Sequence, residues 1–293
     1  MNRLGSLVLA LGFVLGVVWA GRQAARTAGS AVDASWAARH NSHLRRVLNV
    51  PPSVKLEFKR AEAAAGSDFT VVVFELEDEQ RRYPLELYVS RDGRRVLYDN
   101  RIYDVDDPFS AIREQIRLDN APGRGPAEAP LTIVEYSDYT CVYCRRFFLT
   151  LEKPLFERYP GQLRLVYKHF PLAELRSWSE DVAVAAACAF RQGNKPFWAL
   201  HEKLFPEAPR LREGRTVLLE LAQGAGLNLP AFRRCLDGRD TLLEVARDVR
   251  EGERLGVQGT PTFFINGRPV PGLLPPEHFF QIVDEELAAA ESR

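Results

Sequence analysis

Apolar and polar positions change rhythm several times along the chain. Arg3 is followed by an uncharged, mostly apolar run from Leu4 to Gly21, and Arg22 and Arg26 come next. A basic start plus such a run reads as an export signal, yet the run exceeds the usual ~7–15-residue signal core and approaches the ~17–25 of a spanning helix. Residues 1–26 are therefore expected to be either a signal peptide, cut after Ala20, or a retained membrane anchor. Thr27 to Ser35 is small and polar, a tether. Ser35 to Leu48 predicts a helix with Trp36, Leu44, Val47 and Leu48 apolar, ended by Pro51-Pro52. Val54–Arg60, Phe69–Glu77 and Tyr83–Ser90 alternate, as half-buried strands do. Asp92-Gly93 signals a hairpin into Val96-Leu97-Tyr98. These elements outline a small helix-plus-antiparallel-sheet domain over residues 35–105. Pro108–Leu118 predicts a helix, and the Pro/Gly-rich stretch Ala121–Pro130 reads as a mobile linker, which makes residues 106–130 a helix and linker.

A different order follows in residues 131–293. Leu131–Tyr136 is a short apolar strand, Cys144–Arg158 a helix with a kink expected at Pro154, and Leu163–Tyr167 a second strand. Residues 177–254 are helical in pattern, with breaks at Gly193 and Gly224–Gly226. Thr262–Ile265 restores strand texture, Asn266-Gly267 predicts a hairpin, and Glu277–Ala290 spaces Phe279, Val283, Leu287 and Ala290 helically. The order is strand, helix, strand, helical insert, hairpin, helix: an α/β chain.

Composition narrows the classes. Lys+Arg and Asp+Glu both number 39, so no global field favours nucleic acid. Four cysteines are too few for a disulfide-built mini-protein but suffice for two pairs.

Two of them form Cys141-Val142-Tyr143-Cys144, where a strand ends and a helix begins. There the first thiol meets unpaired backbone N–H groups and the helix dipole, which favour thiolate. The second lies one turn along, within reach for a disulfide. Half a zinc site and an inert structural disulfide are the alternatives; His169 is the nearest added ligand zinc would find. In Gly259-Thr260-Pro261-Thr262, Pro261 cannot donate to a sheet ladder and must open its strand. A cis bond there would present the Thr260 backbone to a substrate peptide, whereas an ordinary trans proline would carry no function.

Strand, Cys-x-x-Cys, helix, helical insert and Gly-Thr-Pro-Thr-Phe-Phe-Ile-Asn-Gly, in this order, resemble the thioredoxin fold of the DsbA-like disulfide oxidoreductases over residues 128–290. The resemblance implies that Cys141 is the nucleophile, Cys144 its buried partner and Pro261 a cis-proline. It makes Glu135, in Val-Glu-Tyr-Ser-Asp-Tyr-Thr-Cys, an acidic residue under the site that relays a proton to the inner cysteine. Lys168 on the adjacent strand is expected to pair with it. Val142-Tyr143 supplies no cation, unlike the Pro-His of the best-known member, which argues for a weaker oxidant. Cys188 and Cys235, both in the insert, are expected to form a structural disulfide of the kind some DsbA-like proteins carry. Arg145 and Arg146 are expected to face solvent. His40, His43, His201 and His278 are expected at the surface, and Phe197, Trp178 and Trp198 in a core or groove.

The function so implied is a thiol–disulfide oxidoreductase, with the oxidase favoured. It would be periplasmic or otherwise extracytoplasmic, held to the inner membrane by residues 4–21 if these are kept. Exported cysteine-containing proteins would be its substrates, a redox partner the sequence does not name would reset it, and no cofactor, metal or nucleic acid would be needed. The alternatives are a homodimeric isomerase or reductase, assembled through residues 35–105, and a redox-inactive chaperone or copper-handling protein. For residues 35–105 the favoured expectation is a monomeric spacer.

Overall fold

A computed structural model describes residues 31–51, 53–78 and 81–291. The expected signal or anchor, residues 1–26, lies outside the described residues. No helix among the described residues is long and apolar enough to cross a membrane.

The described residues open with α1 (Ala34–Arg39) and α2 (Asn41–Leu48), divided at His40 where one helix was expected. Asp33 caps α1 by accepting from the Trp36 N–H, and Asn49 closes α2 in the left-handed region. Five antiparallel strands follow in sequential order: β1 (Lys55–Ala63), β2 (Phe69–Glu77), β3 (Arg82–Ser90), β4 (Arg95–Tyr98) and β5 (Arg101–Asp104). Their inner face, with Val72, Phe74, Leu87, Val89 and Val96, packs on Trp36 and Leu44. The Trp36 indole N–H donates to the Gly93 carbonyl at 2.9 Å. Gly93 has φ +74°, and a Cβ there would stand 2.8 Å from the Trp36 ring nitrogen. Glycine is needed at this turn both for its backbone and for the close approach.

After α3 (Ser110–Gln115), the expected linker departs from its composition. Gly123–Arg124 is β6, an edge strand antiparallel to β8, and the Tyr167 N–H donates to the Pro122 carbonyl. Without side-chain bulk, this Pro/Gly-rich chain can lie against a buried strand, and the sheet satisfies its backbone.

The second sheet has the order β10-β9-β7-β8-β6, with β7 (Leu131–Ser137) and β8 (Leu163–His169) parallel at its centre and β9 (Thr262–Ile265) and β10 (Arg268–Pro271) as a hairpin. Both faces of β7 are buried, which explains its near-continuous apolar run. Between β7 and β8 run α4 (Val142–Phe147), a π turn (Phe148–Glu152) and α5 (Lys153–Arg158). The widened turn sits just before Pro154, whose missing N–H and ring crowd the preceding turn. The insert comprises α6 (Ser179–Phe190), α7 (Asn194–Leu204), α8 (Arg215–Gly224), α9 (Leu229–Asp237) and α10 (Asp240–Leu255); α11 (Pro276–Glu291) is the last described element.

Polar contacts join α2 and α3 to the second sheet and α11. Arg46 of α2 makes a bidentate pair with Glu286 of α11, at 2.8 and 2.6 Å. Arg268 of β10 donates to Asn49 at 2.8 Å, and Arg113 of α3 donates to the Asn266 carbonyl at 3.1 Å. The mobile connection expected from residues 121–130 is thus replaced by a docked arrangement.

Candidate active site

The end of β7 is shaped by Asp138. One carboxylate oxygen accepts from the Thr140 N–H and hydroxyl, both at 2.8 Å, and the other accepts from the Leu172 N–H at 3.0 Å. The Asp138 carbonyl accepts from the Cys141 N–H at 3.0 Å. This turn places Cys141 at the N-cap of α4, in extended backbone. Facing it is the Thr260–Pro261 bond, which is cis. The Cys141 thiol donates to the Thr260 carbonyl at 3.3 Å.

Cys141 and Cys144 stand as free thiols and share a buried site. Only 6% of Cys141 is exposed, with the Thr260 carbonyl standing against its thiol. The exposed part of the motif is the dipeptide, Val142 at 64% and Tyr143 at 57%. The two thiols are pushed apart in acidity. The Cys144 thiol and the backbone N–H groups of Cys144 and Tyr143 hold the Cys141 pKa down to about 5 against the opposing effect of burial. Burial pushes Cys144 well above the ordinary thiol range, reinforced by its bond to Cys141.

Glu135 lies on β7 between Tyr167 of β8 and Phe263 of β9. It is fully buried, and burial lifts its pKa to about 8. The expected Lys168 partner is not there. The parallel register sets Glu135 beside Tyr167 and Tyr136 beside Lys168, so Lys168 points to the opposite face of the sheet. It pairs instead with Asp248 at 3.2 Å and Glu251 at 3.1 Å, and Glu251 also accepts from the Tyr136 hydroxyl.

Cys188 and Cys235 form a disulfide joining α6 to α9, with Cα atoms 5.7 Å apart. His201 departs from its expected surface position: it is buried, with one ring nitrogen 3.0 Å from the Tyr139 hydroxyl and the other 3.4 Å from Glu152. Its spacing carried the signal, since Phe197, Trp198 and Leu204 place the 201 position on the apolar stripe of α7. His169 is buried among Tyr167 and Phe197, and burial pushes its pKa down to about 3. Among the described residues no cluster of three His, Cys, Asp or Glu side chains is placed to hold a metal. Arg145 also departs from expectation, donating to the Phe205 carbonyl at 2.9 Å rather than standing free in solvent.

An acidic thiol held against a cis-proline backbone, with a second, unreactive thiol one turn behind it, is the working arrangement of thioredoxin-fold thiol–disulfide oxidoreductases. Residues 119–285 match the family model described as Thioredoxin, and the chain belongs to that family. It is 35% identical over 188 residues to "Na(+)/H(+) antiporter NhaA 3" of Salinispora tropica; the match covers 64% of this chain but only about a quarter of that protein (27%). It is 25% identical to "Probable disulfide bond formation protein D" of Bacillus cereus, over 56% of this chain and 78% of that one. Among solved structures, oxidised BdbD from Bacillus subtilis superposes with a TM-score of 0.54 at 21% identity, covering 59% of this chain and 95% of that one. A periplasmic thioredoxin-like protein from Salmonella enterica serovar Typhimurium gives 0.51 at 26% identity, covering 61% and 97%.

Proposed function

We propose that this chain is an extracytoplasmic thiol–disulfide oxidase acting on cysteines of exported proteins through Cys141 and Cys144. A substrate thiolate attacks Cys141 of the oxidised pair, the Sγ–Sγ bond breaks, and Cys144 leaves with the electron pair. Glu135, protonated near neutrality because it is buried, gives Cys144 its proton. A second substrate thiolate then attacks the substrate sulfur of the mixed disulfide, which releases the oxidised substrate and the Cys141 thiolate. The Thr260 backbone, facing Cys141, offers the edge on which an extended substrate segment pairs. A disulfide-bearing redox partner resets the pair.

The observation that carries this reading is geometric: Cys141 caps α4 with Cys144 one turn along and the cis Thr260–Pro261 bond facing it, an arrangement that holds the Cys141 pKa down. Stabilising the thiolate stabilises the reduced form, and a pair whose reduced form is stabilised is a stronger oxidant. Val142-Tyr143 lacks a cation, but backbone donors of α4 and the Cys144 thiol supply the stabilisation instead. Residues 4–21 and the periplasmic relative favour an extracytoplasmic site.

Edge strand β1 weighs against the dimeric isomerase. It carries Lys55, Glu57 and Lys59 in ion pairs and an irregularity between Phe58 and Arg60, features that oppose edge-to-edge pairing. Equilibration of the full chain with glutathione tests the oxidase. A potential above about −200 mV is expected, and one near the about −270 mV typical of a reductant would replace oxidase by reductase.

A further inference from the structure

β7 and β9 lie side by side between the Cys141–Thr260 contact and the Asn266-Gly267 turn. β7 leads into the turn that carries Cys141, and Thr260-Pro261 stands immediately before β9. The two strands pair antiparallel from Ile133–Ile265 to Tyr136–Thr262. At the far end Asn266 ties them. Its carboxamide accepts from the Thr132 N–H at 2.9 Å and donates to the Pro130 carbonyl at 3.1 Å. Its own N–H donates to the Thr132 carbonyl at 2.9 Å. The Asn266 backbone is left-handed, with φ +47°, a conformation asparagine tolerates. At the near end, the Gly272 N–H donates to the Pro261 carbonyl at 2.8 Å. A four-residue strand held at both ends leaves the Thr260 carbonyl little freedom relative to the Cys141 sulfur.

The Asn266 carbonyl is held from outside the sheet. Arg113 of α3 donates to it from Nη1 at 3.1 Å. The same guanidinium forks onto Asp107, with Nη1 3.0 Å from Oδ1 and Nη2 on Oδ2. Gly267 permits this approach: a Cβ there would stand 2.6 Å from both the Phe109 carbonyl oxygen and Arg113 Cγ. The Arg113 and Asp107 side chains are 30% and 29% exposed. An ion pair so exposed adds little to stability. Its effect on geometry is larger, because the carboxylate orients the planar guanidinium and aims its remaining Nη1 hydrogen at Asn266. Asp107 and Arg113 both precede residues 119–285, the part that matches the family model.

We propose that Asp107, Arg113 and Asn266 are positioning residues that set the redox potential of the Cys141–Cys144 pair by fixing where the Thr260 carbonyl stands against Cys141. The inference rests on the thiol–disulfide reading. Thr260 is among the groups, after Cys144, that favour the Cys141 thiolate. Released at the Asn266 end, β9 lets Thr260 move from the sulfur. The thiolate then loses part of its support, and the reduced pair is favoured less. The segment before the family-matching residues thereby tunes the pair without touching it.

The test equilibrates the full chain with glutathione. The protein disulfide and two glutathione thiols give the protein dithiol and one glutathione disulfide. Cys141 alkylation is followed against pH in the same variants. Arg113→Met removes the donor to Asn266 and the partner of Asp107. It should shift the equilibrium at least about threefold toward the protein disulfide and raise the alkylation midpoint by about half a pH unit or more. Arg113→Lys keeps a cationic donor and should recover part of both. Asp107→Asn keeps the shape, loses the charge, and should shift both in the same direction by less; it carries the test if Arg113→Met does not fold. The Cys188→Ala, Cys235→Ala double variant, weakened away from the hairpin, should shift neither. Parent values in Arg113→Met and Asp107→Asn would overturn the proposal. So would an equal shift in the double cysteine variant, the mark of general loosening. A parent chain whose Cys141–Cys144 pair does not exchange with glutathione would instead overturn the thiol–disulfide reading, and this proposal with it.

Discussion

The Cys141 sulfur and the Thr260 carbonyl oxygen stand 3.3 Å apart, across the 119 residues that separate them in sequence. This contact closes the cis-proline segment over the thiol and leaves the adjacent dipeptide, not the sulfur, as the exposed part of the motif.

Alkylation of the reduced protein should follow a thiolate titrating near pH 5 at Cys141. Cys144, buried and held as a thiol, should stay unlabelled in the folded state. Mass mapping after a short iodoacetamide pulse checks this; faster labelling of Cys144 would reverse the assignment.

The Glu135 carboxyl should impose a pH dependence on stability. Its folded pKa is raised from 4.5 to about 8, so its contribution is fully present below pH 4.5 and is lost as pH rises through about 8. Glu135→Gln removes the charge that folding must otherwise bury at high pH. In the oxidised protein, where neither active cysteine titrates, the variant should be more stable than the parent at pH 8 by about 1–4 kcal/mol and should lose the downward slope. Urea unfolding at several pH values measures both.

Lys168→Met should destabilise by about 3–5 kcal/mol, because it strands Asp248 and Glu251 without their shared cation. Its side chain lies across the sheet from Glu135, so Cys141 alkylation should keep its parent pH profile. A shifted profile would restore the pairing the sequence implied.

Opening the second disulfide should lower stability and leave the active pair intact. Cys188 and Cys235 are 47 residues apart, for which chain entropy gives roughly 4 kcal/mol as an upper figure. The Cys188→Ala, Cys235→Ala double variant should melt earlier while the potential of Cys141–Cys144 is unchanged. Coupled changes in both would mean that α6 and α9 reach the site.

Much of the site was legible because its parts are local or carry a fixed grammar. A strand read as ending at Tyr136, with Cys141 and Cys144 one helical turn apart, can be read residue by residue, as can a proline opening the strand at Thr262. Register cannot. Lys168 lies one residue past the strand predicted to end at Tyr167, and a shift of one residue decides which face it joins. His201 escaped because its polarity outweighed its position in the apolar stripe of α7. Gly123–Arg124 escaped because an edge strand of two residues leaves no alternation to detect. The cover over Cys141 escaped because it depends on a contact between distant segments.

The Arg46–Glu286 pair and its neighbours bear on mechanics. Arg113 grips the Asn266 carbonyl and Asn49 holds Arg268, both at the turn of the β9–β10 hairpin. Pro261 sits at the other end of β9, a four-residue strand only about 13 Å long. Arg113 of α3 and Asn49 at the end of α2 thus work as a splint, bracing the loop over Cys141 from behind. A polypeptide pressing on that loop meets a stiff backing, and the force it exerts passes into α2 and α3 instead of bending the hairpin.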